Sequence, residues 1–124
     1  MTAQIIEAGT KDHPITIEKA RHRTKVSWKG VVIANSERAL DLKETTYPAV
    51  KYIPRSDVDM RLLKRTSHTS HCPYKGDASY YTIKADGKTL DNAIWTYETP
   101  FPAMTEITGH LAFYPDKVKI EEVG

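Results

Sequence analysis

Hydrophobic and polar positions alternate along most of this chain, in short runs cut by turn residues, not at the three-to-four spacing of a helix. In TKVSWKGVVIAN (residues 24–35), a turn at Lys29-Gly30 sets Trp28 opposite Val31 and Val26 opposite Ile33, all on one face. In ASYYTIKADGKTLDNAIWTYE (78–98), Asp86-Gly87 is the strongest hairpin signal. It pairs Ile83 with Leu90 and Tyr81 with Asn92 on one face, Tyr80 with Ala93 and Ala78 with Trp95 on the other. HLAFYPDKVKIEEV (110–123) folds back at Pro115-Asp116, with Phe113 near Val118 and Leu111 near Ile120. RALDLKE and PAVKYIP alternate as strands, the second ended by Pro54.

Two short helices interrupt the strands. SDVDMRLL carries Ser56 and Asp59 in a capping arrangement, and FPAMTEITGH has Pro102 where a first turn tolerates it and Gly109 where a helix stops. Ala103 and Ile107 then share a face. The fold class that follows is mainly β: a compact single domain over 1–124, with antiparallel hairpins forming a barrel- or prism-like assembly and one or two short helices. Residues 1–14 read as a less regular segment.

Composition narrows the class further. The chain has 124 residues, 40% hydrophobic and 27% charged, which suits one core and neither a disordered nor a membrane protein. MTAQIIEAGTKDH lacks a basic start followed by an apolar stretch, so no secretory signal is expected. With a single cysteine, Cys72, and no internal disulfide, a reducing, cytoplasmic location is the expectation. A net charge of +2 on 18 basic and 16 acidic residues is a mixed surface. Nucleic acid is therefore not an expected partner, despite the basic runs KARHRTK and RLLKR. The oligomeric state is not legible.

Candidate chemistry gathers in SHTSHCPYKGDASYY (67–81), read as strand, loop and strand. His68, His71 and Cys72 are donors that zinc or iron accepts, but the spacing is poor and no Cys-x-x-Cys accompanies them, so no cofactor is predicted. As an enzyme, Cys72 would be nucleophile or redox centre, Lys75 would favour the thiolate, and His68 or His71 would transfer protons. As a binding module, Lys75-Gly76 would meet a small anionic or nucleotide-like ligand. Arg55, Arg61 or Arg65 would add charge, and Tyr74, Tyr80, Tyr81 or Trp95 would stack on a ring. Neither common phosphate-binding glycine motif is present. Glu98, at the end of IWTYE, is a candidate general base. A structural module pairing through a strand edge is the third reading.

The run HTSHCPYKGDASYYTI, with YIPRSDV before it, FPAMTEITGHLAFYPDKV after it and KVSWKGVVIANSERAL further upstream, resembles the family called domain of unknown function 427. The family is sometimes labelled nucleotidyltransferase-like. The resemblance implies a compact β-rich fold and a set of matching polar positions: Arg38, Glu44, Tyr52, Asp57, Cys72, Lys75, Tyr80 and Glu98. Several of these are expected to line one cleft with Trp95. A nucleotidyltransferase would also need paired carboxylates for magnesium, for which Asp57-x-Asp59 is the candidate.

Overall fold

Short alternating segments joined by tight turns satisfy their backbone polar groups by pairing with neighbours in antiparallel ladders. The computed structural model, which describes residues 5–123, is built this way throughout. Its strands are β1 (Ile5–Gly9), β2 (Pro14–Lys19), β3 (Arg23–Trp28), β4 (Val31–Ser36), β5 (Leu40–Glu44) and β6 (Val50–Ile53). There follow β7 (Leu63–Cys72), β8 (Gly76–Ala85), β9 (Lys88–Thr96), β10 (Leu111–Phe113) and β11 (Lys119–Val123). Eight form one sheet in the order β1-β2-β5-β6-β10-β9-β8-β7, and β11-β3-β4 form a second. Within the segment 1–14, read as less regular, Ile5–Gly9 pairs with β2.

The large sheet is strongly curled. Four ladder steps separate β5 from β8, about 19 Å if the sheet were flat. Yet Glu44, at the end of β5, contacts Lys75, beside the start of β8. Curling gives the sheet two apolar faces, and period-two alternation supplies both. Ile53, Ile83, Ile94, Leu111 and Phe113 pack outward against Val26, Trp28 and Ile33 of the small sheet. Ile15, Ile17, Leu42, Tyr52, Tyr80 and Ala112 pack inward, with Met104 and Ile107 plugging the curl. The assembly is barrel-like without being a closed barrel, since β1 and β7 remain its edges.

Two bulges adjust the expected registers. Trp28 faces Val31 as expected, but a shift between Val26 and Ser27 sets Ala34, not Ile33, opposite Val26. Ile83 faces Leu90 as expected, but a shift between Tyr81 and Ile83 then pairs Tyr81 with Ile94 and Tyr80 with Trp95. Asn92 absorbs part of that shift at φ 49°, a conformation asparagine tolerates better than most residues. The result makes Tyr80 and Trp95 direct cross-strand partners in the inward cluster.

The third hairpin does not form a ladder. β10 lies between β6 and β9, whereas β11 pairs with β3, so the chain crosses between sheets at Pro115-Asp116. Phe113 and Val118 still share one core, because the sheets pack face to face there. SDVDMRLL forms two 3₁₀ turns, Arg55–Asp57 and Met60–Leu62, and Asp59 caps the second by accepting from the Arg61 N–H. Pro102–Ile107 is also 3₁₀. A kink at Met104 (φ −110°, ψ 20°) divides it into two turns and buries Met104 with Ile107, where an α-helix would have paired Ala103 with Ile107.

Candidate functional site

The turn between β7 and β8 aims a lysine inward. Its Lys75 N–H donates to the Cys72 carbonyl, and the Phe101 N–H donates to the Lys75 carbonyl, which ties the turn to the 99–101 segment. Gly76 follows at φ 116°, a backbone that side-chain-bearing residues rarely adopt. Lys75 is buried as a result. Its Nζ donates to Glu44 Oε1 at 2.6 Å and to Cys72 Sγ at 3.7 Å. Glu44 Oε2 meets His13 Nε2 at 2.5 Å, and the His13 ring stacks on Tyr74 at 3.9 Å with a 3° interplanar angle. Side chains from β5, the β1–β2 turn and the β7–β8 turn thus clasp the two flanks of the curled sheet. Burial opposes the Glu44 charge, but hydrogen bonds from Lys75 and His13 outweigh it and hold the carboxyl below its usual range.

Beside this clasp lies a cavity of about 220 Å³. Tyr52, Tyr80, Trp95, Tyr97 and Tyr114 form most of its wall, Leu42 and Val50 add apolar surface, and Lys75 with Glu44 supplies the charge. The Trp95 indole N–H donates to the Tyr52 hydroxyl at 3.1 Å, leaving the Tyr52 hydrogen free to donate onward. The Tyr80 hydroxyl pairs with Ser70 Oγ at 2.8 Å. Burial pushes Tyr52 and Tyr97 well above the ordinary phenol range. Tyr114 is pushed up to about 12 by burial and by its neighbour Tyr80. At neutral pH these phenols are therefore hydrogen-bond donors and not bases.

The residues singled out from the sequence divide between this cavity and other places. Tyr52, Lys75, Tyr80, Trp95 and Glu44 come together in its wall. Cys72 is half-buried against Lys75. His68 lies against the Tyr80 ring at 4.4 Å, and His71 is exposed and paired with Asp77 at 2.7 Å; neither makes a hydrogen bond to the thiol among the described residues. Arg38 bonds Asp57 and Ser56, Arg55 reaches the Tyr81 hydroxyl, and Glu98 pairs with Arg65 at 2.7 Å and Ser79 at 3.1 Å. None of the three lines the cavity. Asp57 and Asp59 are each held by their own arginine, Arg38 and Arg61, and both carboxyls lie below their usual range through those hydrogen bonds. No group of three or more metal-donor residues occurs among the described residues.

His13, Tyr97 and Tyr114 were not singled out. His13 precedes β2 and reaches Glu44 on the neighbouring β5, opposite Ile15, while the curl, which no local pattern announces, brings Tyr74 and Lys75 to the pair. No described helix is long and apolar enough to cross a membrane.

A family model described as domain of unknown function (DUF427) matches residues 16–124. Among curated proteins, none matches this chain.

Proposed function

From the premise that this chain belongs to the family of domain of unknown function 427, we propose that its curled sheet is a binding module for a small nucleobase-like heterocycle. The supporting observation is the union of five aromatic side chains with a buried Lys75–Glu44 pair in one cavity. A planar ring gains from stacking and edge contacts with Trp95 and the tyrosines. The charged pair offers a donor and an acceptor side by side, so a ring with an acceptor next to an N–H can engage Lys75 and Glu44 together. Size sets the limit. At about 220 Å³ the cavity is smaller than the roughly 300 Å³ at which drug-sized sites begin. A base fits; a triphosphate would have to remain outside.

Charge points the same way. Glu44 already answers the Lys75 ammonium, and Arg38, Arg55, Arg61 and Arg65 are each engaged elsewhere. The nucleotide-like half of the expected ligand is thus better supported than its anionic half. Calorimetric titration with a base, its nucleoside and its monophosphate tests this. The expected order has the base binding at least as tightly as the monophosphate. Affinity that climbs with each added phosphate would refute the reading.

A thiol-based activity is the second reading, favoured by the 3.7 Å approach of Lys75 Nζ to Cys72 Sγ. In this reading Cys72→Ser abolishes turnover, whereas in the binding reading it leaves affinity for the base intact.

A further inference from the structure

We propose that Lys75 is a covalent site, an amine that condenses with the carbonyl group of a small ring-bearing aldehyde or ketone to form an imine. The proposal rests on the cavity being a ligand site and adds a bond to it.

Three observations carry it. Lys75 is the charged amine in the cavity wall, and its side chain is only 8% exposed. The amine is thereby held inside the cavity, facing any ring that occupies it. Glu44 Oε1 sits 2.6 Å from Nζ, close enough to take the ammonium proton, and Glu44 Oε2 is bonded to His13. His13 is 22% exposed, so the chain Lys75–Glu44–His13 runs from the cavity to solvent and can carry a proton out. Finally, the Tyr52 hydroxyl already accepts from Trp95 and has its own hydrogen free for a second acceptor.

The step balances with these groups alone. Nζ passes one proton to Glu44 and attacks the carbonyl carbon; a C–N bond forms as the C=O π pair moves to oxygen. That oxygen accepts a hydrogen bond from Tyr52 and takes one proton from the nitrogen, giving a neutral carbinolamine. The C–O bond then breaks, the oxygen leaves as water with the proton held by Glu44, and a protonated C=N remains beside the Glu44 carboxylate. No oxidant, reductant or metal is consumed.

The test uses the intact chain with a pyrimidine carboxaldehyde and cyanoborohydride at neutral pH, followed by peptide mapping. Binding of the matching pyrimidine methanol, which has the ring but no carbonyl, is measured in parallel. The expected result is one reduced adduct, located on Lys75 in preference to the exposed lysines and absent from Lys75→Arg. Glu44→Gln should slow trapping by about 10²-fold at aldehyde concentrations that saturate the site, as loss of a proton-transfer group would. Labelling confined to exposed lysines, with the methanol bound, would overturn the covalent role and leave the cavity reading standing. Failure of the methanol to bind as well would bring down both.

Discussion

Removing Glu44 should harm the protein more than removing Lys75, although the two form one ion pair. The asymmetry comes from burial: the Lys75 side chain is 8% exposed and that of Glu44 is 22% exposed. Glu44 also keeps a second partner in His13, whereas Lys75 keeps only the weak acceptor Cys72 Sγ. Glu44→Ala strands an ammonium among aromatic rings, a loss of about 3 kcal/mol by the usual cost of breaking a buried pair. Lys75→Met leaves a carboxylate that is hydrogen-bonded and partly hydrated, and should lose about 1 kcal/mol. At roughly 4 °C per kcal/mol for a chain of this size, the melting points of the two variants should differ by about 8 °C. Thermal unfolding gives the melting points and urea unfolding the free energies, both followed by tryptophan fluorescence. The pH dependence checks the cause. Hydrogen bonds from Lys75 and His13 outweigh burial and hold Glu44 below its usual 4.5, so its contribution is present above that value and lost as pH falls through the lowered one. The gap between Glu44→Ala and the parent should therefore narrow as pH falls below about 4.5. Equal losses in the two single variants, or a gap that does not change with pH, would refute this reasoning.

Other consequences concern the supports of the site. Ser36 is buried, donates to Asp57 Oδ2 at 2.6 Å and accepts from the Arg38 N–H at 3.0 Å, so Ser36→Ala should cost about 1–2 kcal/mol in urea unfolding. Asp57 is held below its ordinary 3.8 by hydrogen bonds from Arg38 and Ser36. Its contribution is present above that value and lost as pH falls through the lowered one, so Asp57→Asn should flatten the stability profile below pH 3.8. Gly9 has φ 80°, and a Cβ there would stand 2.3 Å from the His13 carbonyl oxygen. Gly9→Ala should cost at least about 2 kcal/mol and displace His13 from Glu44, visible as a shift of the His13 ring resonances. Cys72→Ser should leave binding of the base unchanged in calorimetry, and a loss of binding would place the thiol in the ligand's path.

Local order was legible from the sequence where a turn dipeptide and alternation agreed. Lys29-Gly30 and Asp86-Gly87 fixed Trp28 opposite Val31 and Ile83 opposite Leu90. Beyond a few residues from each turn, a bulge changed the partners, and a bulge leaves almost no trace in binary pattern. The Pro115-Asp116 turn was read as a hairpin because both flanks are apolar, yet the flanks belong to facing sheets; shared burial does not distinguish pairing from packing. Of the residues lining the cavity, Lys75 and Tyr80 stand out in the stretch 67–81, Trp95 lies on the partner strand of the next hairpin, and Tyr52 and Glu44 come only with the family resemblance. Arg55 and Glu98 are candidates by charge and Arg38 by the family resemblance, and each is engaged by a nearer partner. His13 is not legible, since its pairing with Glu44 needs the β2–β5 register and its stacking on Tyr74 needs the curl of the sheet.

The most direct measurement is the indole N–H resonance of Trp95 in a nitrogen–proton correlation spectrum while a free base is titrated. Trp95 donates that hydrogen to Tyr52 in the cavity wall, and the second indole, Trp28, lies in the separate core between the sheets. A ligand in the cavity should move the Trp95 signal to saturation and leave the Trp28 signal in place. A Trp95 signal that stays fixed while other resonances shift would show that the base binds elsewhere, and the cavity would lose its assigned role.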